Sequence, residues 1–216
     1  VFDAGAKSGS GVEAASGGAG APGAMSQHIA RTAARLFAAR GYDATPVRAI
    51  AEAAGVTKPT LYYHFGSKEG LAQALLTRPT QRMLAELDAA LAAGLAPIET
   101  AVRMLDVKFA FFREDPDRSR FLFALFFGPL ASSLASEVAA LGAAMDQRWD
   151  DAVARLARAG IIEPECEAAF AVNVRGLVVV RTIDHLYRGV ELEPGLGSRL
   201  INDLLRGFGR AKGTGA

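Results

Sequence analysis

From residue 25 onward the apolar side chains recur every three or four positions, and prolines gather where one such run gives way to the next. That spacing is the period of an α-helix, in which residues three and four apart share a face. Period-2 alternation is nearly absent: only Leu177-Val-Val-Val180 is β-like, and it lies inside a long helical pattern. Ile29, Ala33, Leu36 and Phe37 fall on one face of a helix ending near Gly41. Val47, Ile50, Ala51 and Ala54 repeat the pattern in a short helix stopped by Gly55. Thr45 is placed to cap that helix, and Pro46 suits its first turn, where a missing N–H costs nothing. Residues 58–64 make another short helix. A fourth starts after Ser67, suited as N-cap, and runs toward Leu91, with Pro79 expected to kink or break it. Further helices are expected at 97–114, 117–133, 136–159, 164–188 and 197–209, with Pro97, Pro116, Pro164 and Pro194 near their starts. The chain is therefore predicted to be all-α, with about nine helices.

Composition narrows the class. Half of the 216 residues are apolar and 22% are charged, enough to bury a core and too apolar for disorder throughout. No apolar run approaches the ~18–20 residues that span a bilayer, so no membrane role is expected. The single cysteine, Cys166, excludes a disulfide framework and a Cys-rich metal site and fits a reducing compartment. A soluble, cytoplasmic protein is the expectation. Residues 1–24 hold seven of the 23 glycines and almost nothing large and apolar, so they read as a disordered leader or tag remnant. Two helical segments follow, 25–71 and 72–216.

Charge divides the chain a little further on, near residue 78. Residues 25–78 carry seven Lys or Arg against three Asp or Glu, whereas residues 79–216 carry 16 against 18. A small basic module is joined to a larger, slightly acidic one. Only the first is suited to a polyanion.

Thr45 to Leu71 has the anatomy of a helix-turn-helix: two short helices joined by a turn at Gly55, with Ala51 and Ala54 small enough for a close crossing and Val56 and Leu61 beneath. In such a unit the second helix enters the DNA major groove and the first lies across the backbone. Lys58, Thr60, Tyr62, Tyr63 and His64 offer donors, hydroxyls and rings within two turns, and Pro59 stiffens the start. Arg48 is suited to a bidentate contact with guanine, and Lys68 to a phosphate.

The stretch from Ile29 to Leu71 resembles the N-terminal domain of TetR-family transcriptional regulators. The resemblance rests on Phe37, Gly41-Tyr42, Thr45, Val47-Arg48, Ile50-Ala51 and above all the run AGVTKPTLYYHFGSKEGL. It implies that Arg48, Lys58, Pro59, Thr60, Tyr62 and Tyr63 occupy DNA-reading positions, and that Thr45, His64 and Lys68 touch or help place the phosphate backbone. Pro46 departs from the hydroxyl residue frequent there. Residues 79–216 resemble the family's C-terminal half more loosely, and that half implies small-molecule sensing and dimerisation through the last two helices.

The residues bear on both tasks. Seven of the twelve phenylalanines, including Phe109, Phe112, Phe123, Phe126 and Phe127, fall within 19 residues. With Leu87, Met104, Met145 and Trp149 they exceed what one buried stripe requires, and a chamber for a small lipophilic or aromatic effector is expected. Arg103, Asp106, Lys108, Arg118, Arg175 and His185 are equally eligible as its polar anchor. For dimerisation, Val172, Gly176, Val179, Val180 and Ile183 form a small-to-medium stripe, joined by Ile201, Leu204, Leu205 and Phe208 of the last helix. A helix-interior glycine costs up to ~1 kcal/mol, understandable where another backbone approaches.

His28, His64 and His185 lie far apart, and neither metal-ligand spacing, nor a GxSxG elbow, nor a phosphate loop is present, so no metal, cofactor or enzymatic activity is expected. The expected function is that of a homodimeric regulator, released from a palindromic double-stranded operator when an apolar effector binds the C-terminal half. The helix from Ser67 to Leu91 would link the two halves. A small helical enzyme using the chamber, and a constitutive DNA-binding protein without an effector, remain the alternatives.

Overall fold

The computed structural model describes residues 23–128 and 134–208. Among them are nine α-helices: α1 (Ala24–Arg40), α2 (Val47–Ala53), α3 (Lys58–Phe65), α4 (Lys68–Ala92), α5 (Pro97–Glu114), α6 (Pro116–Phe127), α7 (Ala135–Arg158), α8 (Glu167–Arg188) and α9 (Leu196–Phe208). A 3₁₀ turn, Pro164–Cys166, precedes α8 where a continuous helix from 164 was expected. The chain is all-α, and none of its described helices is long and apolar enough to cross a membrane. Residues 1–22 of the expected leader lie outside the described residues, as do 129–133, the end of the helix expected over 117–133.

Side-chain caps set several helix starts. Thr57, Ser67 and Asp115 accept hydrogen bonds from the amides of Thr60, Gly70 and Arg118, which satisfies N–H groups that have no partner within the helix. Thr45 does not cap α2. Pro46 stands at that N-cap without a side-chain bond, and the Thr45 hydroxyl donates instead to the Gly41 carbonyl at 2.7 Å. Nor does Pro79 break α4, which runs through it. An interior proline costs ~3 kcal/mol in an isolated helix. Here Leu75, Leu76, Thr80 and Met83 are all buried on the same helix, so tertiary packing offsets the lost backbone bond.

The N-terminal helices close around Ile29, Ala33, Phe37, Ile50, Leu61 and Leu71, each wholly buried. This small core is continuous with the larger one. Phe121 of α6 lies 4.9 Å from Phe37, and Tyr42 stacks 6.3 Å away from the same Phe121 ring. The α1–α6 packing is more extensive than that of any other helix pair. Helix α4 crosses from one half to the other, touching α1 and α3 at one end and α5 and α7 at the other.

Candidate nucleic-acid interface and apolar chamber

The eight residues of α3 divide between core and solvent. Leu61 is wholly buried and Phe65 half-buried, and they fasten α3 to the core. Lys58, Pro59, Tyr62, Tyr63 and His64 face outward, Tyr63 being 86% exposed. Thr60 is half-buried, and its hydroxyl lies 2.8 Å from that of Thr57 at the cap. Large aromatic rings left in water on a short capped helix gain nothing in folding. They leave an exposed aromatic surface on the outer side of α3. Tyr63 and His64 stand edge to face, 5.2 Å apart, a pairing that limits their rotamers.

Arg48 projects from α2 into solvent, where its Nε donates to Glu52 at 2.6 Å. This hydrogen bond, then the charge of Glu52, raises the guanidinium pKa. A guanine contact would have to share or displace Glu52, a competition not foreseen in the spacing. Lys68 is held rather than extended. Its ammonium sits 4.3 Å over the Tyr42 ring and donates to the Asp43 carbonyl at 3.4 Å. Beside it the start of α4 favours anions: the backbone amide of Glu69, then the Ser67 hydroxyl, hold the Glu69 carboxyl below the usual carboxylate range. Thr45 is the exception among the expected DNA residues. It is wholly buried, with its hydroxyl turned inward, so it supports the turn before α2 and does not face a phosphate.

The expected chamber divides in two. Phe112, Phe123, Phe126, Phe127 and Met145 line a cavity of about 140 Å³ between α5, α6, α7 and α8. Leu87, Met104, Phe109 and Trp149 do not line it; each is almost fully buried in helix packing and belongs to the core. Periodicity marks a residue as apolar without saying which of two facing layers it fills. Of the six possible anchors, Lys108 and Arg175 line the cavity, and Asp146, which was not singled out, joins them. Arg118 is instead buried beneath α5, donating to the Phe111 carbonyl and pairing with Glu114.

On the outer face of α8, Val172 and Val180 are 59% and 54% exposed, and Gly176 between them has open space where a Cβ would stand. Val179, Ile183, Leu204 and Leu205 are half-buried beside this face. Ile201 is not available to a partner. Helix α9 packs so closely on α5 that a Cβ at Gly197 would come within 2.8 Å of Asp106, and this contact leaves Ile201 wholly buried inside the protomer. The side chain of Phe208 lies outside the described residues.

Residues 29–75 match the family model for bacterial regulatory proteins of the tetR family. The chain is 40% identical over 70 residues to the HTH-type transcriptional repressor ComR of Escherichia coli K12, covering 32% of this chain and 33% of that protein. It is 54% identical over 44 residues to the HTH-type transcriptional repressor KstR2 of Rhodococcus jostii RHA1, covering 20% and 22%. These matches thus span a third or less of either relative. The likeness in fold reaches further: the ketosteroid transcriptional regulator KstR2 of Mycobacterium tuberculosis superposes with a TM-score of 0.72 over 86% of this chain and 95% of its own, at 21% identity. Residues 29–75, whose helices α2 and α3 carry the exposed Arg48 and Tyr62, are thus similar to the DNA-binding segment of tetR-family bacterial regulatory proteins, and the fold likeness extends over most of the chain.

Proposed function

We propose that the protein is a homodimeric, sequence-specific DNA-binding transcriptional repressor that a small molecule releases from a near-palindromic operator. The observation that carries this reading is the outer face of α3. Lys58, Tyr62, Tyr63 and His64 are presented to solvent on a helix anchored by Leu61 and capped by Thr57. Each protomer would place that face in a major groove, with Arg48 reaching from α2. The relatives named as transcriptional repressors support the direction of control.

Release requires a ligand that binds the DNA-competent and incompetent states differently. Two helices connect chamber to reader. Helix α4 is the link expected from the sequence. Helix α6 is a second, carrying Phe123 and Phe126 on the cavity wall and Phe121 against Phe37 and Tyr42. A shift of α6 would reach the turn before α2 and, through Tyr42, the ammonium of Lys68.

Selection of bound duplexes from a random DNA pool at fixed salt tests the reading. Enrichment of a two-fold symmetric site is the expected result. A folded protein that enriches no duplex, with or without added ligand, would refute it. On the selected site, Lys68→Ala should weaken binding to all sequences and reduce the salt slope by about one.

A further inference from the structure

The cavity beside Phe112 and Phe123 is walled by rings but is not wholly apolar. Lys108 of α5, Asp146 of α7 and Arg175 of α8 share its lining, and they are not equivalent. Arg175 donates to Asp150 at 3.1 Å and stands 3.9 Å from Asp146, so two carboxylates answer its charge. The Lys108 ammonium makes no hydrogen bond or ion pair with any described residue. Burial above all pulls its pKa below the usual lysine range, Asp146 opposing the shift and Arg175 adding to it. The Lys108 side chain is half-buried, so its stem lies along the apolar wall while its ammonium has no bonded carboxylate.

The size of the cavity limits its occupant. About 150 Å³ is enough to hold benzene in a dry protein cavity, and this one measures about 140 Å³. Helix α7 makes room for one of its walls: a Cβ at Gly142 would lie 2.8 Å from the Phe126 ring. Phe127, 67% exposed, stands at the rim.

We propose that this cavity binds a small aromatic or branched carboxylate, its apolar body against Phe112 and Phe123 and its carboxylate on the Lys108 ammonium. The proposal rests on reading the C-terminal helices as a sensor, and it gives that sensor an organic acid rather than a neutral hydrocarbon. The anion supplies the hydrogen-bond acceptor that Lys108 lacks, while the rings exclude water and strengthen the pairing.

Benzoate, benzamide and benzylamine are close in shape and differ in charge. Calorimetric titration of the full chain with each, at one salt concentration, is the test. Benzoate should bind at least about tenfold more tightly than benzamide, the scale set by a hydrogen bond to a charged group, and benzylammonium should not bind. Lys108→Met should reduce benzoate to the level of benzamide and leave benzamide unchanged, with Lys108→Gln as a second variant should Lys108→Met not fold. Met145→Trp, which fills the cavity, should abolish both. Equal binding of benzoate and benzamide, benzoate binding that survives loss of the lysine, or no binding of any probe overturns the proposal. The selection from random DNA separates the two readings. A protein that enriches a palindrome without preferring benzoate remains a regulator and loses this ligand class. One that prefers benzoate and enriches no duplex keeps the acid site and loses the regulatory role.

Discussion

Thr45 and Arg48 stand three residues apart and have opposite environments. The Thr45 hydroxyl is buried against Gly41, and the Arg48 side chain is 75% exposed beside Glu52. Thr45→Val keeps the shape and removes one hydrogen bond, so it should lower unfolding free energy by about 1 kcal/mol in denaturant titration and leave operator affinity unchanged. Arg48→Ala should do the reverse, weakening operator binding while the denaturation midpoint stays in place. A loss of DNA affinity at undiminished stability in Thr45→Val would return that hydroxyl to the phosphate backbone. Glu114 gives a pH prediction at the same scale. Its hydrogen bond with Arg82, then the charge of Arg118, hold its carboxyl below the usual range. A depressed carboxylate contributes stability above its unfolded pKa, and that contribution disappears as pH falls through the lower folded value. Glu114→Gln should therefore cost stability near neutrality and flatten the decline of Tm on acidification, by a modest amount because the pair is largely exposed. A Tm–pH profile that matches the unsubstituted protein would show that the pair contributes nothing.

Among the elements, the junction of α3 and α4 leaves no room for a side chain at Gly70. A Cβ at Gly70 would lie 2.1 Å from the Phe65 carbonyl oxygen, a backbone atom that cannot swing aside. The same Gly70 amide donates to the Ser67 cap at 2.9 Å. Gly70→Ala should therefore destabilise by about 1–3 kcal/mol, as overpacking does, and should displace α3 enough to lower operator affinity as well. Affinity per folded molecule that stays intact would mean that α3 holds its place without this junction. Much of this region was legible in sequence, because caps, helix-ending glycines and the apolar period act locally. Ser67 as cap and Leu61 as core follow from neighbours within four residues. The passage of α4 through Pro79 was not legible, since what offsets the proline is packing from other helices. The α1–α6 contact was hidden for the same reason: Phe37 and Phe121 are 84 positions apart and each reads only as apolar.

At the scale of the whole molecule, the outer face of α8 leaves Val172 and Val180 more than half exposed. Val180→Asp should be harmless to a protomer, since the side chain is half in water, and should place an unpaired charge inside a dimer built on this face. Sedimentation should then show the dimer weakened by about 3 kcal/mol or more, with operator affinity falling because two half-sites no longer bind together. An unaltered dimer would place the interface elsewhere. Ile201 would contribute to neither result, being core in the protomer.

Most helix positions, the basic N-terminal module and the solvent-facing side of α3 are short-range properties legible in the sequence alone: a 3.6-residue period, a cap and a glycine act over a few residues. Tertiary structure decided which of two apolar layers each residue joined. It sent Trp149 and Phe109 to the core and Phe123 to a cavity, closed Ile201 against α5, and turned Thr45 inward. It also brought Lys108 and Arg175, of six eligible polar residues, to the cavity wall, because that wall is assembled from four helices. A local period marks the apolar face of a helix, but which layer that face packs into is fixed by residues distant in the chain.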